Sequence, residues 1–305
     1  MSNTENKTGE LPIYLLGETP LSLYLAFRFQ KAGENPVIIA PQQENRTDTI
    51  TATIKEAQGL KKYKFSCPTT AYALSPAKLL IITSPLISFK SELLRISPRN
   101  FATVPTIVFS LLHDISIAQT LLGKPLIKGY VDGWLQNDNR TVSTLGDTPQ
   151  ICLVKNYDCL EACLSSLSLL KRTGLECQMT ENGPQAFWEH FSVQLLGSML
   201  SADYQQNIFT IAKSKEKQRE IEILATELAD LAHSEGAVLD PQNLTQTLFN
   251  APLHYSFPTQ NIDSAAISEL NQHYRTLIKL SAAAKLRLPK LNRLMKEIYF
   301  RINSL

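Results

Sequence analysis

The chain opens with short apolar runs alternating with segments of helical periodicity. Leu11 to Leu16 (LPIYLL) is an unbroken apolar run of strand length, and Gly17-Glu18-Thr19-Pro20 follows it as a turn. In the next segment Leu21, Leu25, Phe29 and Ala32 recur at helical spacing, and Gly33 stands where a helix stops. Thr19 suits the N-cap, and Pro20 suits the first helical turn, where its missing N–H has no partner to lose. Val37 to Ala40 predicts a second strand. Strand, turn, helix and strand thus fit within about thirty residues, the βαβ unit of a doubly wound sheet.

Further along, Lys78 to Thr83 (KLLIIT) predicts a buried strand, Ser88 to Ile96 a helix and Val104 to Leu111 another strand. Residues 126–154 predict shorter strands broken by turn signals at Asn137-Asp138-Asn139 and Gly146-Asp147. Cys159 to Arg172 predicts a helix ended by Gly174. From about Pro184 the pattern changes to long helices, Gln185 to Ala212, Ser214 to Ser234, Asp263 to Lys285 and Leu291 to Ile302. The expected fold class is α/β followed by all-α: a Rossmann-like doubly wound sheet over 1–182 and a helical domain over 183–305.

Composition narrows the function classes. A length of 305 residues allows two average domains, and 44% hydrophobic with 19% charged residues is an ordinary globular balance. A net charge of +2 argues against a dedicated nucleic-acid binder. The longest nearly apolar stretch, Leu79 to Phe89, is interrupted by Thr83, Ser84, Pro85 and Ser88 and falls short of the roughly twenty residues of a membrane span. The polar first ten residues carry no secretory signal. The cysteines, Cys67, Cys152, Cys159, Cys163 and Cys177, are odd in number and form no CxxC, so buried thiols in a reducing cytoplasm are expected. Cys159 and Cys163 share a helix face, but no His or acid joins them at metal-site spacing, and no metal is expected.

A dinucleotide-binding turn wants glycines at the first, third and sixth positions of GxGxxG, and here those positions read Gly17, Thr19 and Ser22. The helix N-terminus still attracts an anion. The second strand ends at Ala40 and Pro41 with Arg46 beyond, which leaves the choice of nicotinamide open.

The whole layout resembles ketopantoate reductase, the two-domain NADPH-dependent enzyme of pantothenate synthesis. Ala186 to Met199 (AFWEHFSVQLLGSM) is similar to the first helix of that family's C-terminal domain, and Glu227 to Asn243 (ELADLAHSEGAVLDPQN) to its second landmark. Glu269-Leu270-Asn271 matches a further segment, and Pro289 and Asn292-Arg293-Leu294 follow at the family's spacing. Gly17, Gly33, Leu79 to Thr83 and the run from Leu111 to Gly123 carry the likeness in the first half. The resemblance implies reduction of 2-dehydropantoate to pantoate, with Glu269 holding the substrate and His190 at the position of the proton-donating lysine. Gln194 and Ser198 fall on the two asparagines that follow, and Ser110 on the asparagine that orients substrate and cofactor. Ser84 or Pro85 falls on a cofactor-side lysine and Pro41 on the NADPH-selecting arginine. NADPH would then lie against Gly17, Thr19, Ser22 and Ser84, with a 2-keto acid between the domains. A homodimer stays open.

Plainer readings stand beside these. His190 also reads as a structural histidine after Trp188, Glu269 as a solvated acid at a helix start, and Ser110 as a capped strand end. The basic C-terminal stretch from Arg275 to Arg301 spreads its charge over two helices and reads as a solvated surface, with Arg287 and Lys290 as candidate contacts to cofactor phosphates or a substrate carboxylate. Two other functions remain open: a reductase of another 2-keto acid, and a non-catalytic relative that binds a ligand or partner.

Overall fold

Ile13 to Leu16 is apolar on both sides, which suits a strand covered on both faces. The computed structural model of the chain describes residues 11–40, 49–56, 62–71, 76–83, 91, 93, 96, 101–109, 115–138, 140–252, 257–261 and 264–302. In chain order the first part holds β1 (Ile13–Leu16), α1 (Pro20–Lys31), β2 (Pro36–Ile39), β3 (Thr49–Lys55), β4 (Lys62–Thr70), β5 (Leu79–Ile82), β6 (Thr106–Phe109), α2 (Ser116–Leu122), β7 (Ile127–Asp138), β8 (Thr141–Val154), α3 (Leu160–Arg172) and β9 (Glu176–Thr180). The strands form one sheet in the order β3-β4-β2-β1-β5-β6-β7-β8-β9. Its centre, from β4 through β2, β1, β5 and β6 to β7, is parallel. Side chains alternate between two layers. Ile13 and Leu15 pack with Leu25, Phe29 and Ile107, and with Leu169 and Leu170 of α3. Tyr14 and Leu16 pack with Phe101, Val108, Ala118 and Leu122 on the opposite face. Both faces are covered, as in a doubly wound, Rossmann-like fold.

The sheet departs from the expected strands in two places. Residues 127–154 form two long antiparallel strands rather than several short ones, and Gly146-Asp147 lies inside β8. The register slips between Asp132 and Trp134, where Gly133 takes φ 134°, so the turn residues feed an irregularity within the ladder. β3 and β4 form an antiparallel hairpin absent from the expected elements, because polar and apolar residues alternate there instead of forming an apolar run. β3 also pairs with β8, so the sheet curls and its ends meet around α1. The Leu21, Leu25, Phe29 stripe expected to face the core is therefore too narrow. Ser22 to Phe27 and Phe29 are all buried, since α1 has strands on several sides. The helix expected over Ser88 to Ile96 falls mostly outside the described residues.

From Gly183 the described chain is helical: α4 (Gly183–Tyr204), α5 (Ile208–Ile211), α6 (Lys215–Ser234), α7 (Pro241–Phe249), α8 (Ser264–Ala284) and α9 (Pro289–Ile302). The single helix expected over Gln185 to Ala212 breaks at Gln205, which takes a left-handed φ of 50°, and Asn207 then caps α5. No described helix is long and apolar enough to cross a membrane. All five cysteines are free thiols, three of them buried.

α4 is the centre of the helical core. Phe187, Trp188, Phe191, Leu195, Leu196, Met199 and Leu200 are each at most 3% exposed. Gly197 permits one close approach: a Cβ there would lie 2.0 Å from Phe257 Cζ. The Phe257 ring in turn meets Trp134 edge-on at 5.9 Å, so this contact reaches from α4 to β7. Gly197→Ala is expected to lower stability by about 1–3 kcal/mol through overpacking, against alanine's better helix propensity. Urea unfolding checks it, and an unchanged or higher midpoint would mean that the Phe257 ring moves aside freely.

Candidate active site

The first βα turn is built by hydroxyl groups. Gly17 takes φ 103° at the end of β1, and its N–H donates to the Ile39 carbonyl at 3.1 Å. Thr19 and Ser22 form a reciprocal capping box: the Ser22 N–H donates to Thr19 Oγ1 at 3.2 Å, and the Thr19 N–H to Ser22 Oγ at 2.9 Å. Thr19 Oγ1 donates in turn to Thr83 Oγ1 at 2.9 Å, and Thr83 Oγ1 to the Leu16 carbonyl at 3.2 Å. The turn is thereby tied to the C-terminal end of β5. Its cost is to anion binding: the N–H groups of Thr19 and Ser22 are occupied, and Pro20 has none.

Thr19 and Thr83 open onto a cleft of about 660 Å³. The sheet side is formed by the end of β6 at Phe109 and by Gly129 to Trp134 of β7. The opposite wall comes from α4 (Gln185, Glu189, His190, Val193, Gln194), from α7 with the loop before it (Val238 to Asp240, Asn243, Leu244, Thr247), and from Glu269 of α8. Local chemistry holds these walls together. The Gln185 side chain donates from Nε2 to the Val238 carbonyl at 2.9 Å and accepts from the Val238 N–H at 2.8 Å. Asp240 caps α7 by accepting from the Gln242 N–H at 2.9 Å.

The cleft thus brings together Thr19, His190, Gln194 and Glu269 from among the sequence-predicted residues. Ser22 does not line it: this residue is fully buried and its hydroxyl belongs to the cap. Ser198 does not line it either; its carbonyl accepts from Thr259 Oγ1 at 2.8 Å. Gly17 is buried beneath the turn. Ser84, Ser110 and Pro41 lie outside the described residues. Arg287 and Lys290 are exposed and do not line the cleft, so they belong to the solvated surface. Thr83, Tyr130, Trp134 and Asn243 were missed from sequence. Asp240-Pro241 is an N-cap and first-turn pair, and reading it as a helix start would have placed Asn243 and Thr247 on one face.

His190 has a defined proton arrangement. Its Nδ1 lies 2.7 Å from the Ala186 carbonyl, which only accepts, so Nδ1 carries the hydrogen. Nε2 is buried with no partner among the described residues. Neutral His190 therefore presents an acceptor at Nε2, and its imidazolium form presents a donor there. The charged side chains that line the cleft are Asp132, Glu189, Asp240 and Glu269, with no Lys or Arg among the described lining residues. The lining also carries the side-chain amides of Gln194 and Asn243, which can donate to an anionic ligand.

The fold coincides with that of proteins of known structure. A ternary structure of D-mandelate dehydrogenase with NADH and anilino(oxo)acetate is 13% identical, covers 96% of this chain and 99% of its own, and superposes with a TM-score of 0.79. The 2-dehydropantoate 2-reductase from Geobacter metallireducens GS-15 is 15% identical over 95% of this chain and 100% of its own, with a TM-score of 0.74. This chain has the ketopantoate reductase fold. The dimeric ketopantoate reductase from Staphylococcus aureus adds a third likeness, 12% identical over 96% of this chain and 99% of its own, TM-score 0.76. No family model and no curated protein matches the sequence. At these identities the likeness to ketopantoate reductases establishes the fold, and chemistry has to be argued from the cleft.

Behind Glu269, one helical turn on, lies His273. Its Nε2 is 4.0 Å from Glu269 Oε1, but burial pushes its pKa down to about 4, so it is neutral near pH 7 and leaves Glu269 uncompensated by this neighbour. The unfolded chain takes up the proton near pH 6.5, the folded protein only near 4. Stability is expected to fall as pH drops through that window and to level off below it, by about 3 kcal/mol in all. In thermal melts at pH 7 and 4.5, His273→Leu should lose distinctly less stability on acidification than the parent; an equal loss would assign the effect to another group.

Proposed function

We propose that this protein is an NAD(P)-dependent reductase of 2-keto acids, with NADPH-dependent reduction of 2-dehydropantoate to pantoate as its leading reaction. The observation that carries the reading is the single cleft that joins the first βα turn to His190, Gln194 and Glu269. Residues 1–182 serve as the cofactor half and 183–305 as the substrate half. The C-terminal strand ends opening on the cleft suit a dinucleotide, which Thr19 and Thr83 would hold. When bound, the nicotinamide supplies a hydride to the keto carbon.

The chain's own residues handle the substrate and the proton. Protonated His190 donates from Nε2 to the carbonyl oxygen and is left as the neutral Nδ1–H form already bonded to Ala186. Glu269 accepts from a substrate hydroxyl. The amides of Gln194 and Asn243 donate to the carboxylate in place of the cation that the described lining lacks.

Two observations keep other readings in play. D-mandelate dehydrogenase shares the fold, so an aromatic 2-keto acid belongs in the assay. The capped turn, with two of its N–H groups already bonded, favours a non-catalytic binding relative. Loss of absorbance at 340 nm is measured with NADPH and NADH in parallel against ketopantoate and a panel of 2-keto acids. Turnover with ketopantoate is the expected result, with kcat lowered about 10²–10³-fold in His190→Ala. Turnover only with another acid moves the substrate, and absence of both turnover and nucleotide binding selects the binding relative. Full turnover by His190→Ala would remove its assigned role.

A further inference from the structure

A histidine that carries a proton to one substrate atom must hold its ring plane as well as its tautomer. The Ala186 carbonyl selects Nδ1 as the protonated nitrogen, but a single hydrogen bond one turn back on the same helix leaves the ring free to tilt about it. The second restraint comes from another element. Tyr130 of β7 stacks on His190 with ring centroids 5.1 Å apart and planes 20° from parallel. We propose that Tyr130 is the positioning residue of His190, holding the imidazole plane so that the Nδ1–H bond to Ala186 persists and Nε2 stays the working atom. The role of Nε2 in catalysis rests on the function proposed above; the fixed tautomer does not.

Tyr130 is well placed for this. It is 2% exposed and pairs with Cys152 across the antiparallel ladder, so its backbone is fixed by the sheet. Gly129 beside it is buried between strands, where a Cβ would fall 2.6 Å from the Phe109 ring. Lys128 Nζ lies 6.0 Å from the Tyr130 ring centroid and 5.2 Å from that of Phe187, adding a cation to the same aromatic group. The phenol itself contributes little: its oxygen is buried without a hydrogen-bond partner among the described residues, and burial pushes its pKa up, so it stays protonated. A tyrosine whose hydroxyl is unused, and whose ring covers the imidazole at stacking distance, acts through the ring. The sheet thereby sets the orientation of a side chain that belongs to the helical part.

The tautomer can be read without any turnover. Nitrogen-15 NMR of the neutral imidazoles separates protonated from unprotonated ring nitrogens, and His190→Gln assigns the resonance among the five histidines. The expected result is a single Nδ1–H form for His190 in the parent protein and in Tyr130→Phe, and a mixture containing Nε2–H in Tyr130→Met, which has similar bulk and no ring. In the reductase assay, Tyr130→Met then lowers kcat at least tenfold and Tyr130→Phe stays within about twofold. A single Nδ1–H form retained in folded Tyr130→Met would overturn the proposal. So would a tautomer mixture in the parent protein, a result that does not depend on any variant folding. A protein with no turnover but with the expected tautomers would sink the proposed reaction and leave the positioning role standing.

Discussion

The cleft depends on the burial of α4. This helix is apolar on most of its circumference, and it satisfies that demand by entering the helical core and packing on β7 and β8 at the same time. One stripe is left out of the core, and it carries Gln185, Glu189, His190, Val193 and Gln194. Those residues meet the sheet because Trp188, Phe191 and Leu195 on the same helix have to be buried. The gap at Gly197 allows Phe257 to close the packing, and Phe257 extends it to Trp134 in the cleft wall. Hydrophobic packing and site geometry are here one constraint.

The sheet meets this helix with a similar economy. By curling until β3 pairs with β8 it encloses α1, which accounts for a helix buried on nearly all sides. The turn entering α1 has few glycines, and its shape is held instead by Thr19, Ser22 and Thr83. Hydroxyl groups satisfy the helix N-terminus locally where glycines would have left N–H groups open to a phosphate. A firmly capped turn and a strong pyrophosphate site compete for the same donors. That competition leaves this turn fewer free donors for a pyrophosphate than a glycine-rich one would offer.

The proton arrangement at His190 combines both halves of the molecule. The helix supplies the carbonyl that selects the tautomer, and the sheet supplies the aromatic plane against which the ring rests. Behind Glu269, burial keeps His273 neutral near pH 7. Four acidic side chains and no Lys or Arg stand among the described residues that line the cleft.

Local pattern in the sequence missed the β3–β4 hairpin and β9 but marked β1, α1, β2, β5 and β6, the capped start of α1 and the change to long helices near Gly183. These are properties of local periodicity and of N-cap and turn chemistry, which act within a few residues. The sequence also marked Thr19 by its place in the first βα turn, and His190, Gln194 and Glu269 through likeness to a family. Tertiary structure decided the rest. The closing of the sheet and the full burial of α1 follow from a β3–β8 pairing between residues far apart in the chain. The assignment of Ser22 to a cap rather than the cleft turned on a hydrogen bond of 2.9 Å, which residue type alone does not specify. Tyr130, Trp134 and Asn243 became cleft residues because β7 and α7 both converge on α4. That convergence is set by which faces must leave water together, and no local pattern contains it.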